Sequence, residues 1–131
     1  APSEELLQGE GTVLLVDDEQ LIIDVGAAIL KGLGYEVLTA RSGKEAIEVY
    51  TNNKDIIDII LLDLVMPGMS GGDTYDRLKE INPGVLVLLS SGYSIDSQAS
   101  GILKRGCNGF IQKPYSIKIL AQKIHDILEK G

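Results

Sequence analysis

The sequence predicts an α/β protein: one domain built on a doubly wound parallel sheet with helices on both faces. At 131 residues the chain has the size of one domain, since two separate cores would each fall near the lower limit for independent stability. Five apolar runs of strand length alternate with five amphipathic stretches of helix length, the pattern of repeated βα units. The central run Ile59-Ile60-Leu61-Leu62 is apolar without alternation, as a strand covered on both faces should be.

Residues 1–11 are polar and carry Pro2, Gly9 and Gly11 without sustained periodicity. They read as a linker or an expression remnant, which leaves the domain at 12–131. The first strand is expected at Thr12–Val16. The first helix follows at about Glu19–Lys31, with Leu21, Ile22, Val25, Ala28 and Ile29 as its apolar stripe. A second strand, Glu36–Thr39, precedes a helix over Lys44–Asn52, whose start is marked by Ser42 and Glu45 at capping-box spacing. The third strand is expected over Ile56–Leu62 and the third helix over Gly72–Ile81, with Ser70 placed as its cap. The fourth pair is Val85–Ser90 and Asp96–Arg105. The last strand, Gly109–Gln112, leads to a helix over Ile117–Glu129, capped by Ser116 and striped by Ile117, Leu120, Ala121, Ile124, Ile127 and Leu128.

Composition excludes several functions. Twelve Lys and Arg against 19 Asp and Glu give a net charge of −7, the reverse of the footprint that a phosphate backbone attracts, so no direct nucleic-acid partner is expected. No apolar run is long enough to span a bilayer, so membrane insertion is not expected either. The single cysteine, Cys107, forms neither an internal disulfide nor a cysteine metal cage, and no signal segment opens the chain. A reducing cytoplasm is its simplest home.

In open parallel sheets the ligand site lies beyond the carboxyl ends of the strands, where strand order reverses. Asp17 and Asp18 follow the first strand, Asp63 closes the third, Ser90 and Ser91 close the fourth, and Lys113 follows the fifth. With the flavodoxin-like order 2-1-3-4-5, the first and third strands are neighbours and their carboxylates converge. Three crowded carboxylates call for a compensating cation. Hard oxygen ligands without a His or Cys cluster suit Mg²⁺. With Lys113 as a mobile positive charge and a serine hydroxyl as a donor, these are parts for phosphoryl transfer to a carboxylate.

Four segments carry a resemblance: Val13-Leu14-Leu15-Val16-Asp17-Asp18-Glu19, Leu61-Leu62-Asp63-Leu64-Val65-Met66-Pro67-Gly68-Met69-Ser70-Gly71, Leu88-Leu89-Ser90-Ser91-Gly92, and Gly109-Phe110-Ile111-Gln112-Lys113-Pro114. In this order and at these sheet positions the chain resembles the receiver domain of two-component response regulators, from Thr12 to Lys130. The resemblance implies a (βα)5 fold and a Mg²⁺-dependent phosphoacceptor, Asp63, that takes its phosphoryl group from a phosphohistidine on a sensor histidine kinase or phosphotransfer protein. It implies Asp18 and Asp63 as direct metal ligands, Asp17 through water and Val65 through its carbonyl. Ser91 aligns with the hydroxyl switch, with Ser90 the alternative one residue away. Lys113 pairs with the phosphoryl group, its bond to Pro114 resembling the family's cis peptide. Phe110 takes the aromatic switch position, where a tyrosine is common. Val65 and Tyr93 occupy variable positions that tune phosphate lifetime, with the Tyr93 ring expected to shield the phosphoryl group.

The resemblance further implies a signalling domain that catalyses at most its own phosphorylation and dephosphorylation. Its output face is built from the fourth helix, fifth strand and fifth helix, with Ile95, Ala99, Lys104, Phe110 and Tyr115 as candidates. A monomer or weak phosphorylation-dependent dimer is expected. The Glu4-Glu5-Leu6-Leu7-Gln8 segment, with Ser90-Ser91-Gly92-Tyr93, resembles receivers of hybrid sensor kinases, whose full-length proteins are kinases. A pseudo-receiver that only binds proteins is the alternative. A haloacid-dehalogenase-type phosphatase is disfavoured because Val65 stands where that family resembles Asp-x-Asp.

Each residue also has a plainer reading. Asp18 is suited to cap the first helix, and Asp55 and Asp58 fall at the wrong end of the third strand for chemistry. His125 reads as a surface histidine, while Cys107, Met66 and Met69 read as packing residues. Gly9-Glu10-Gly11 precedes a strand, so it is not a dinucleotide loop.

Overall fold

Residues 7–130 are described in the structure, a computed structural model. Its elements are β1 (Thr12–Val16), α1 (Gln20–Gly32), β2 (Glu36–Ala40), α2 (Gly43–Asn53), β3 (Ile59–Asp63), α3 (Gly71–Ile81), β4 (Val87–Ser91), α4 (Ser97–Lys104), β5 (Gly109–Gln112) and α5 (Ile117–Lys130). The strands are parallel and ordered β2-β1-β3-β4-β5, the flavodoxin-like order expected from the sequence. Expected and observed elements agree in number and type. β3 and β4 begin later than Ile56 and Val85, since Ile56 is exposed in the turn and the β1 to β3 register starts at Val13 opposite Ile59.

Alternation along the strands sorts the core onto two faces. Leu14, Val16, Ile60, Leu62, Val87 and Leu89 pack under α2, α3 and α4, with Ala46, Tyr50, Tyr75, Leu78 and Ile102 from those helices. Val13, Leu15, Ile59, Leu61, Leu88 and Ile111 pack on the other side, under α1 and α5, with Ile23, Leu30, Leu120 and Ile124. β3 is buried at all five positions, which explains its unbroken apolar run.

The buried face of α1 corrects the expected stripe. Ile23, Gly26 and Leu30 face the core, whereas Leu21 is 71% and Val25 47% exposed. Gly26 is chosen for closeness: a Cβ there would stand 2.9 Å from Leu15 Cδ2. Of the expected α5 stripe, Ile117 alone is exposed, at 44%.

Caps follow the sequence signals. Ser42 Oγ accepts from Glu45 N–H at 3.1 Å, Ser70 Oγ from Asp73 N–H at 3.1 Å, and Ser116 Oγ from Ile119 N–H at 3.4 Å. Asp96, which the sequence reading did not single out, caps α4 by accepting from Ala99 N–H at 2.9 Å. Asp18 does not cap α1. The N-cap position is Glu19, without a side-chain bond, and Asp17 Oδ1 accepts the Glu19 N–H at 3.0 Å.

Most of the Glu4–Gln8 segment, and residues 1–6 of the expected linker, lie outside the described residues. Within the remainder, Gly9 N–H donates to Leu33 O at 2.6 Å and Gly9 packs on Tyr35. No helix among the described residues is long and apolar enough to cross a membrane.

Candidate functional site

Three strand ends build the site at the carboxyl edge of the sheet. β1 delivers Asp17, fully buried, and Asp18, half-buried; β3 ends in Asp63, 2% exposed. One carboxylate oxygen from each of the three lies within 4.8 Å of the others. From the turn after β5, Lys113 Nζ donates to Asp17 Oδ2 at 2.9 Å and to Asp63 Oδ1 at 3.1 Å. The Lys113–Pro114 peptide is cis.

The backbone under Asp63 is fixed from two sides. Asp63 pairs with Ser90 in the β3 to β4 register, and Leu64 N–H donates to Ser90 O at 2.8 Å. On the other side Gly71 N–H donates to Leu64 O at 3.0 Å. A Cβ on Gly71 would meet Asp63 O, Leu64 Cα and Leu64 O at 2.7 Å, so only glycine lets α3 approach this closely.

Electrostatics follow from this geometry. Burial, and then the charge of Asp17, push the Asp63 carboxyl up to about 6, against the pull of the Lys113 charge and hydrogen bond and of the Val65 amide. Burial alone lowers the Lys113 ammonium, but the hydrogen bonds and charges of Asp17 and Asp63 outweigh it and leave the group raised. One ammonium thus serves only two of the three carboxylates, and hard oxygen donors with unbalanced negative charge fit a divalent cation.

The two serines diverge. Ser91 Oγ accepts from Tyr93 N–H at 3.0 Å. Ser90 is fully buried, and its Oγ lies 3.4 Å from the Tyr115 hydroxyl. Burial foremost pushes that phenol up to about 12. Phe110 is half-buried against the core under α2, α3 and α4. Asp18, Asp63 and Lys113 line one cleft with Ile22, Val65, Pro67 and Tyr93. Val65 is 57% and Tyr93 72% exposed at its rim.

The expected output face needs correction at two positions. Ala99 is fully buried because it faces the core side of α4, and Tyr115 is half-buried because its ring turns toward Ser90 and α1. Ile95 and Lys104 are exposed. Of the residues given plainer readings, Asp18 and Met66 line the cleft, while Asp58, His125 and Cys107 fall outside it. Asp58 accepts the Thr12 N–H at 2.8 Å, His125 lies 3.6 Å from Glu129, and Cys107 is buried with its thiol directed to Val87 O at 3.3 Å.

Sequence reasoning missed two contacts. Arg41 Nη2 donates to Asp18 O at 2.8 Å, and the Tyr115 hydroxyl reaches Ser90. Neither has a local sequence signal, because each joins segments distant along the chain. The closeness of Gly71 to Asp63 had one, the Gly71-Gly72 pair directly after the Ser70 cap.

Comparison with known proteins adds the family. The family model described as the response regulator receiver domain matches residues 13–125. The chain is 37% identical over 124 residues to the sensor kinase CckA of Brucella abortus, covering 95% of this chain and 13% of that protein. Among solved structures it resembles a response regulator receiver domain protein from Clostridium thermocellum, with TM-score 0.87, 30% identity and coverage of 92% and 95%. It also resembles the CheX-CheY complex with BeF3 and Mg²⁺ from Borrelia burgdorferi, with TM-score 0.85, 28% identity and coverage of 89% and 88%. The chain spans between 13% and 50% of the length of the curated relatives it matches.

Proposed function

The chain belongs to the response regulator receiver domain family and has a phosphoacceptor role, and from that membership we propose that Asp63 is the acceptor and residues 12–131 the functional unit. The observation that carries this is Lys113 Nζ held between Asp17 Oδ2 and Asp63 Oδ1, at 2.9 and 3.1 Å. That ammonium stands beside the attacking carboxylate, where negative charge accumulates on a transferring phosphoryl group.

In the proposed reaction an Asp63 carboxylate oxygen bonds to the phosphorus of a phosphohistidine whose other ring nitrogen is protonated, as the phosphorus–nitrogen bond breaks, and the imidazole leaves as a neutral ring that keeps that proton. The electron pair of the broken bond stays on the nitrogen that held the phosphorus. Asp18 and Asp63 directly, Asp17 through water and Val65 through its carbonyl would hold Mg²⁺, which when bound supplies charge neutralisation for the phosphoryl oxygens. Lys113 orients the same group. Ser91, whose Oγ accepts from Tyr93 N–H, keeps its own hydroxyl proton to donate to a phosphoryl oxygen. Ser90, whose Oγ lies by the Tyr115 hydroxyl on the side of the sheet covered by α1 and α5, is the poorer switch. Phe110 has no hydroxyl, so any coupling to Ser91 runs through packing on the face of α4, β5 and α5.

The donor is a sensor histidine kinase or a phosphotransfer protein, and similarity to a sensor kinase supports a place in a hybrid kinase or phosphorelay. We assign the chain no turnover beyond its own phosphorylation and dephosphorylation, cytoplasmic residence, and a monomeric or weakly phosphorylation-dependent dimeric state. Incubation with Mg²⁺ and acetyl phosphate, read by intact mass beside Asp63→Asn, tests the assignment. A Mg²⁺-dependent gain of one phosphoryl group, absent in the variant, is expected. No adduct, with beryllofluoride also failing to perturb the spectrum, would instead favour a pseudo-receiver.

A further inference from the structure

Arg41 takes no part in the chemistry above, yet it touches the site through the backbone. Its guanidinium Nη2 donates to the Asp18 carbonyl at 2.8 Å across 23 residues of sequence. The base of that arm is itself fixed. Arg41 N–H donates to Glu45 Oε1 at 2.6 Å, and Glu45 N–H donates to the Ser42 cap at 3.1 Å, so the first turn of α2 holds the Arg41 backbone. The strand below is held too: Val16 pairs with Ala40, and Asp17 N–H donates to Ala40 O at 3.1 Å. Asp18 stands one residue beyond this ladder, before an N-cap residue that lacks a side-chain bond.

We infer that Arg41 is a positioning residue for Asp18: its guanidinium clamps the turn between β1 and α1 and so keeps the Asp18 carboxylate in the acidic cluster. The inference rests on the reading of that cluster as a Mg²⁺ site. Its sign separates it from a charge effect. A guanidinium beside a cation site repels the cation, so removal of the charge alone would tighten Mg²⁺ binding. Loss of a clamp weakens it, as loss of partners that orient metal ligands does.

Arg41→Met keeps the aliphatic stem and removes both charge and donors, while Arg41→Lys keeps the charge and a donor. MgCl2 titrated into the full chain, followed by backbone amide shifts, gives the affinity. Hydrogen exchange of the Glu19 amide, which Asp17 Oδ1 accepts at 3.0 Å, reads the turn in the metal-free protein. The expected result for Arg41→Met is about tenfold weaker Mg²⁺ binding, the low end for an outer-shell partner, with faster Glu19 exchange. Arg41→Lys should stay within about threefold of the unaltered chain, because a single donor is what the carbonyl accepts. Equal or tighter Mg²⁺ binding by Arg41→Met, or unchanged Glu19 exchange, overturns the clamp and leaves the metal-site reading standing. No Mg²⁺ response in the unaltered chain overturns both.

Discussion

Lys113 Nζ lies 3.1 Å from Asp63 Oδ1 across fifty residues of sequence, yet Asp63 remains shifted up to about 6. Burial is the main cause, the Asp17 charge adds to it, and the ammonium that opposes both is also bonded to Asp17 at 2.9 Å. The pair therefore does not neutralise the site. It leaves a buried carboxylate short of positive charge, which is what a cation-dependent nucleophile requires.

That imbalance sets a pH dependence for the metal-free protein. With its folded value above the unfolded one, Asp63 contributes most stability below about pH 4, and the contribution is lost as pH rises through about 6. Asp63→Asn removes the buried charge. In EDTA near pH 8 it should be more stable than the unaltered chain by about 1 to 3 kcal/mol, and near pH 4 the difference should shrink toward zero. Urea denaturation at both pH values checks this, and an Asn variant no more stable at the higher pH would contradict it.

Removal of the ammonium has the opposite effect. Lys113→Met leaves Asp17 and Asp63 buried without their shared partner, whose side chain is only 11% exposed. Breaking such a contact should cost about 2 to 4 kcal/mol in EDTA. Added Mg²⁺ should then recover more stability in the variant than in the unaltered chain, because the cation no longer competes with the ammonium. Denaturation midpoints with and without MgCl2 provide the check, and equal gains from Mg²⁺ would argue against that competition.

How much of this was legible in the sequence depended on whether a residue acts through its own strand. Asp17, Asp18, Asp63 and Lys113 each follow or end a strand, so alternation of elements and the carboxyl-edge rule were enough to bring them to one place. The face of α1 was not legible. Leu21-Ile22-Ile23 and Val25 to Leu30 present apolar groups nearly all round, and the decisive residue, Gly26, has no side chain to count. The Arg41 contact to Asp18 and the Tyr115 contact to Ser90 join segments that no local period relates.

Gly71 offers a test of how the backbone supports Asp63, the proposed acceptor. An Ala methyl would fall 2.7 Å from Asp63 O and from two Leu64 backbone atoms, none of which is the end of a flexible side chain. Gly71→Ala should lower stability by about 1 to 3 kcal/mol, as overpacking does. It should also slow phosphorylation by acetyl phosphate at temperatures where the variant is still folded. Gly32→Ala, with open space around the added carbon, serves as the control. Parity of the two variants in phosphorylation rate would mean that α3 does not set the position of Asp63.

With Asp63 as the proposed acceptor, phosphate lifetime should depend on what stands between water and its carboxylate. Asp63 is 2% exposed, and it shares its cleft with Val65 at 57% and Tyr93 at 72% exposure. The backbone of Tyr93 is anchored, since its N–H donates to Ser91 Oγ at 3.0 Å, so the ring stays at the cleft mouth while remaining free to lie over a phosphoryl group. Truncation opens that mouth without touching Asp17, Asp18, Asp63 or Lys113. Tyr93→Ala should therefore lose phosphate several-fold faster, with little change in stability because an exposed side chain contributes little burial. The decay of the phosphorylated mass after removal of acetyl phosphate measures this, and a rate equal to that of the unaltered chain would show that the ring does not shield the phosphoryl group.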